Sequence, residues 1–278
     1  MNETGSTYQA VRIGDTSDWR LICAISETGI QAYLKNTANP TEEVITLFDQ
    51  DWERNPDTLL SNIENAVYDH PQVLDDFSAD IVLTAPRAIW VPLEYADDDE
   101  GCDSLYSRIY PLAGDDLFAE EGADALCLYC LAPGLKAFLG RTFPGARIHC
   151  HLAVMARSFR DRGADMPTLF MNIRKGEVDM TLIDRRRLLL SATHFWHHPE
   201  DLEYHAYNVL DVYSLDPKEM QISLAGLRDE KAALMTAFRK RIAYVMNAML
   251  PSLGVKAGMP LQAAMLLRAQ SQSKTTSR

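Results

Sequence analysis

The sequence predicts an α/β protein in two halves, each a mixed sheet flanked by helices. Two observations carry this. The order β-hairpin, strand, helix, strand occurs twice, with landmarks about 140–148 positions apart: Leu21 and Leu169, Ile30 and Val178, Pro56 and Pro199, Ile81 and Ile222. The 278 residues are also long for one core and natural for two domains of about 100–150 residues. Identity between the copies is negligible, so the repeat is one of pattern.

Each element has a local reason. "RLICAISETGIQAYLKN" (20–36) holds two apolar, β-prone runs around a tight turn at Glu27–Gly29, a hairpin signal. "EEVITLFDQ" (42–50) reads as a third strand. "NPDTLLSNIENAVYDHP" (55–71) reads as a helix opened by Pro56 and Asp57, with Leu59, Ile63, Ala66 and Val67 at helical spacing. "ADIVLTAP" (79–86) is a buried strand. The second copy runs through a hairpin at 167–185 turning at Arg174–Gly176, a strand at 187–195, a helix at 198–215 and a strand at 219–226. Between the copies, residues 124–161 read strand, helix, strand, helix. "RGADMP" (162–167) suits a boundary, giving halves 1–163 and 164–278, with 1–18 a flexible start. A helix is expected around Asp229–Lys240. "RIAYVMNAML" suits strand or helix, and "MPLQAAMLLRAQS" a last helix with a frayed tail.

Composition excludes several classes. A net charge of −12 repels phosphate backbones, so nucleic acid is not an expected partner. The basic clusters Arg157–Arg162, Arg185–Arg187 and Arg239–Arg241 read as solvated faces. No apolar run reaches the roughly 18–20 residues of a membrane span. No signal peptide is visible in the polar, acidic start. Five cysteines then read as reduced thiols of a cytoplasmic protein.

A duplicated unit of this order resembles the actin-like ATPase superfamily, whose two ribonuclease-H-like domains flank a nucleotide cleft. "IWVPLEYAD" (89–97), "RTFPGARIHCH" (141–151), "LLLSATHFWHHPEDLEYHAYNVLDVYSLDP" (188–217) and "ISLAGLRDE" (222–230) more closely resemble an uncharacterised bacterial family. That family is of unknown function, known mainly from Bacteroidetes. Its members look like degenerate relatives of the actin-like proteins of pilus assembly and type II secretion. The resemblance runs from about residue 20 to 250 and implies the fold without an activity.

The resemblance points to the hairpin turns as the phosphate-facing loops. There the superfamily has Asp-x-Gly-Ser/Thr: small residues admit backbone N–H groups, and the Asp orients Mg2+. In "AISETGI" (24–30), Ser26 stands near the Asp position, Glu27 lies in the turn, and Gly29 is the only glycine. In "MNIRKGEV" (171–178), Asn172 stands near the Asp position, and bulky Arg174 and Lys175 precede Gly176. In "LAGLRDE" (224–230), Gly226 remains where two glycines are expected. With both carboxylates missing, no cofactor is predicted and Mg-ATP hydrolysis is not expected. Arg174 and Lys175 retain charge for an anion.

"THFWHHPEDLEYH" (193–205) holds four of the seven histidines and raises a metal-dependent hydrolase as an alternative. His197, His198 and Asp201 are its metal candidates. A zincin helix needs two histidines one turn apart, whereas His198 and His205 are separated by about 10 Å of rise. Asp201, four residues before His205, offers an Asp–His pair. The expected role is structural: Pro199 in the first turn, with Glu200 and Asp201 at the positive helix end, and aromatic packing beneath. "CLYC" (127–130) lies in an apolar strand and reads as buried cysteines. His149 and His151 are expected on one face of a strand, Cys150 on the other, as core or cleft-edge residues. "DDDEG" (97–101) reads as a solvated loop. No Gly-x-Ser-x-Gly, P-loop, dinucleotide or EF-hand motif is present. The expected protein is a non-catalytic actin-like scaffold. It binds a partner protein through exposed loops such as 95–105, with self-association as an open alternative. A nucleotide- or anion-binding enzyme with a remodelled cleft is the runner-up.

Overall fold

The computed structural model describes residues 15–39, 41–96, 99–110, 116–122, 125–160, 165–248 and 258–273. Strands β1 (Trp19–Ser26) and β2 (Gly29–Asn36) form the first hairpin across Glu27–Thr28, and β3 (Ile45–Asp51) joins β2 antiparallel. Helix α1 (Leu59–Tyr68) carries the chain to β4 (Ser78–Leu83), which lies parallel to β1. There follow β5 (Ala88–Pro92), α2 (Asp99–Ser107), β6 (Phe118–Gly122), β7 (Ala125–Tyr129) and α3 (Leu135–Thr142). Strand β8 (Arg147–Cys150) then joins β4 in parallel and runs straight into α4 (His151–Arg160).

The second half contains β9 (Thr168–Arg174), β10 (Glu177–Asp184), β11 (Arg187–Phe195), α5 (Pro199–Val212), β12 (Gln221–Gly226), α6 (Arg228–Phe238), β13 (Tyr244–Asn247) and α7 (Leu261–Ser273). The strand orders are β3-β2-β1-β4-β8 and β11-β10-β9-β12-β13, the same topology used twice. Each hairpin half is antiparallel and each crossover half parallel. The first copy carries an insertion, the small sheet β5-β7-β6.

The central strands are buried on both faces, as crossover helices require. On β1, Leu21, Cys23 and Ile25 face α1 and α3, while Ile22 and Ala24 face the other way. That alternation is the period of two of a strand. On β9 and β10, Leu169, Met171, Val178 and Met180 pack with Leu202, Ala206 and Phe238 of α5 and α6. The inner faces of the two sheets meet across α4 and α7. Val154, Met155 and Phe159 of α4 and Leu261, Met265 and Leu266 of α7 share one cluster with Ile22, Val82, Phe170 and Ile183. Phe159 stacks on Phe170 with centroids 3.8 Å apart. Each such fully buried side chain contributes about 1.5–3 kcal/mol.

Several expectations need correction. Helix α1 starts at Leu59 after Thr58, not at Pro56. Residues 99–101 lie in α2, whose Cys102 and Tyr106 are buried, so that part of the acidic stretch is helical; residues 97 and 98 lie outside the described residues. Strands β5 and β6 were not expected. His151 is the first residue of α4, not a strand residue sharing a face with His149. The ambiguous stretch at 241–250 contains strand β13. Much of "RGADMP" lies outside the described residues.

Gly226 shows how tightly β12 approaches β9. Its φ is +95°, and a Cβ there would stand 2.0 Å from the Ile173 carbonyl oxygen. Gly226→Ala should therefore cost at least about 2 kcal/mol, read as a lower urea midpoint with an unchanged slope.

Candidate functional site

The inner face of each sheet buries a carboxylate, Asp80 paired with Arg20 in the first and Asp179 in the second. Alternation along β10 sends Val178, Met180 and Leu182 outward to the helices and Asp179 and Thr181 inward. Asp179 is fully buried, and a lone buried carboxylate is prohibitively costly unless donors surround it. They do. Arg174 grips it with two N–H groups, Nε at 2.9 Å and Nη2 at 2.7 Å. Asn172 donates at 3.0 Å, Thr193 at 2.9 Å and Gln262 of α7 at 3.0 Å. His151, from the start of α4, places Nε2 at 3.1 Å.

The network continues outward. Arg174 also pairs with Glu177, Glu177 with Arg54, and Arg54 with Glu27 at 3.1 Å. Arg54 lies over the Phe195 ring at 5.2 Å. One ionic chain thus runs from the buried centre to the β1–β2 turn, crossing the cleft between the two hairpin tips. Around it remains a cavity of about 210 Å3, lined by Ser26, Gly29, Arg174 and Lys175 together with Thr28 and Thr84. That is below the roughly 300–1,000 Å3 of typical small-molecule sites.

The expected site residues therefore converge only in part. Ser26 accepts from the Thr28 N–H at 3.2 Å and shapes the turn. Gly29 is needed for space: a Cβ would meet Asp51 Oδ1 at 2.7 Å and the Gln50 carbonyl at 2.8 Å. Asn172 serves Asp179, and Gly226 serves strand packing. Glu27 holds Arg54 and lines a neighbouring cavity. Arg174 is committed to Asp179 and Glu177. Lys175 is exposed at the tip of its hairpin, with no ion-pair partner among the described residues.

Sequence reasoning passes over Asp179, Glu177, Arg54 and Gln262, and names His151 only as a core or cleft-edge histidine. Two carried a signal: Asp179 is an acid at an inward position of an apolar strand, and Gln262 interrupts an apolar helix. The histidine stretch is a helix cap. Asp201 accepts from the backbone N–H groups of His197 and His198 at 2.8 and 2.9 Å, which lowers its pKa. His194 and His205 stack at 4.6 Å, and His205 Nε2 lies 3.0 Å from the Phe195 carbonyl. Asp201 is thus partnered by the backbone, not by His205. Among the described residues no three His, Cys, Asp or Glu side chains stand in a metal-holding group. His149 belongs to a separate network, 2.7 Å from Glu120, which also pairs with Arg157.

Cys150, His151 and Asp179 form a row, with Cys150 Sγ 3.7 Å from His151 Nδ1. The order imitates a Cys–His–Asp nucleophile, but Cys150 and His151 have 0% exposure, so no substrate reaches the sulfur. Burial opposes charge on His151, yet Asp179 more than offsets it, with help from Cys150, and raises the imidazole to about 9. Burial would raise the Cys150 thiol, but the hydrogen bond from Cys127 and the neighbouring His151 bring it down to about 6.

Two outcomes follow. Asp179→Asn removes the carboxylate facing His151 and strands Arg174's grip, and should cost about 3–5 kcal/mol, read by denaturant unfolding. His151, raised in the folded state, stabilises fully below its unfolded pKa near 6.5 and loses that contribution as pH rises toward 9. Cys150, lowered in the folded state, acts in the opposite sense over the same range. In a Cys150→Ala background, which silences that thiol, stability should therefore fall as pH rises above about 6.5. Adding His151→Gln should flatten the fall.

The sequence matches, over residues 9–245, the family described as Protein of unknown function (DUF3822). No curated protein sequence matches it. Among solved structures, a Bacteroides thetaiotaomicron protein described as having an actin-like ATPase fold and unknown function is similar at a TM-score of 0.76 and 17% identity, covering 91% of this chain and 96% of that one. A chain of the PilM–PilN type IV pilus biogenesis complex is similar at 0.53 and 12% identity, covering 89% and 96%. At these identities the likenesses show the fold, which is the one the sequence resemblance implied. With its duplicated five-stranded sheets and a match over residues 9–245, the chain has the actin-like ATPase fold and belongs to the DUF3822 family.

Proposed function

We propose that this chain is a non-catalytic actin-like protein, a pseudo-ATPase, that acts in the cytoplasm by binding a partner protein. One observation carries the reading: the groups lining the cleft are spent on each other. Arg174 is held by Asp179 and Glu177, and Arg54 by Glu27 and Glu177. Ser26 and Asn172 stand where a metal-orienting carboxylate is wanted, and neither carries the charge. The remaining 210 Å3 is small for a nucleotide. The halves 1–163 and 164–278 then act as one locked body. A partner role is supported by a neighbour of the same fold that is itself part of a complex. Leu93, Tyr95 and Ile109 are exposed in and near the 95–105 stretch, which suits a contact surface. No helix among the described residues is long and apolar enough to cross a membrane.

A second reading has one observation in its favour. Lys175 lines the cavity with its charge free among the described residues, beside the hydroxyls of Ser26 and Thr28. An anion could be held there without hydrolysis.

Thermal shift with ATP and ADP, with and without Mg2+, separates the readings. A ligand at one hundred times Kd stabilises by about 2.7 kcal/mol. The expected result is no shift at millimolar nucleotide and no hydrolysis above buffer. A Mg2+-dependent shift with hydrolysis, both lost in Lys175→Ala, overturns the pseudo-ATPase reading. A Mg2+-independent shift shared with inorganic phosphate supports the second.

A further inference from the structure

A larger cavity lies beside the cleft, behind the Arg54–Glu27 pair. It measures about 300 Å3 and is enclosed by the β1–β2 turn, the loop into α1 and the end of β7. That volume reaches the range of small-molecule sites. Its floor is apolar, formed by Leu59, Leu131, Ala132 and Pro133. Tyr106 also lines it, and its hydroxyl donates to the Arg87 carbonyl at 3.1 Å, which pins the backbone carrying Arg87.

The charges sort into two sets. Arg54 and Glu27 neutralise one another within the wall shared with the cleft. Arg87 and Asp57 also line the cavity, are exposed, and have no ion-pair partner among the described residues. Among the described residues the cavity therefore offers one free cation and one free anion above an apolar floor.

We propose that this cavity binds a free amino acid with an apolar side chain. The ligand carboxylate goes to Arg87, whose planar fork suits a carboxylate. The ammonium goes to Asp57, and the side chain rests on Leu59, Leu131 and Pro133. A plain carboxylic acid leaves Asp57 unmatched, and a plain amine leaves Arg87 unmatched. A polar side chain would be desolvated on the floor without partners. The proposal stands whether or not the neighbouring cleft takes a nucleotide.

The test is calorimetric titration of the full chain with L-leucine and L-phenylalanine. The controls are 4-methylpentanoate, which lacks the ammonium, and 3-methylbutylamine, which lacks the carboxylate. Saturable binding of an amino acid is expected, with each control weaker by about tenfold or more. Arg87→Gln should weaken the amino acid to the level of the amine and leave the amine unchanged. Asp57→Asn should do the same with respect to the acid. Both residues are exposed, so unchanged melting temperatures confirm folding. Leu131→Trp, which fills the cavity, should abolish binding of all probes. No saturation at millimolar amino acid, equal binding of all probes, or binding that survives both charge substitutions overturns the proposal.

Discussion

The carboxylate of Asp179 is the constraint around which the rest is arranged. A buried anion is tolerated only when donors surround it, and these come from distant parts of the chain. Arg174 and Asn172 come from β9, Thr193 from β11, His151 from α4 and Gln262 from α7. Each must arrive at hydrogen-bond distance, so the carboxylate fixes the second sheet relative to α4 and α7. An apolar contact in the same place would permit sliding; a multiply bonded carboxylate does not. The same residue explains the narrow cleft, because the arginine that grips it also fills the space between the hairpin tips.

Duplication supplied two equal sheets, and their inner faces have diverged. The first presents Ile22, Ala24 and Val82 with the buried Arg20–Asp80 pair at one end; the second presents Asn172, Asp179 and Thr181 beside Phe170 and Ile183. Ile22, Ala24 and Val82 receive α7 by apolar burial. The second face receives α4 and α7 by directional bonds. The small sheet adds a further tie, with the Trp90 indole donating to the Ser191 carbonyl at 2.9 Å. The two halves are thus tied across the cleft by contacts within the chain.

Much of this was legible in the sequence. Strand β11 and the start of α5 at Pro199 fall where the apolar run and the proline place them. The shared strand order follows from the repeated hairpin, strand, helix, strand pattern. The start of α1 is not legible because Pro56 resembles a first-turn proline, while the chain spends Asn55–Thr58 on a turn, with the Asp57 N–H donating to Asn55. Strands β5 and β6 are short and, among the described residues, pair only with β7, so no long alternating run announces them. The site was less legible because its logic lies between elements. That Arg174 would turn inward to Asp179 and not outward to an anion depends on a partner five residues away across the hairpin. That His151 would meet Asp179 depends on α4 lying between the sheets. Spacing along a sequence does not encode such meetings.

The position of α7 has a consequence for biosynthesis. Chains emerge from the ribosome N-terminus first, and early segments fold as they appear. Both sheets are complete by Asn247, yet the apolar faces of Ile22, Val82 and Val154 await Leu261, Met265 and Leu266. Until then a sticky surface and an under-donated carboxylate stand open on the nascent chain. The last described helix is thus the closing stitch, and a ribosome that stalls or terminates before it releases a protein with its two sheets formed and its seam unsewn.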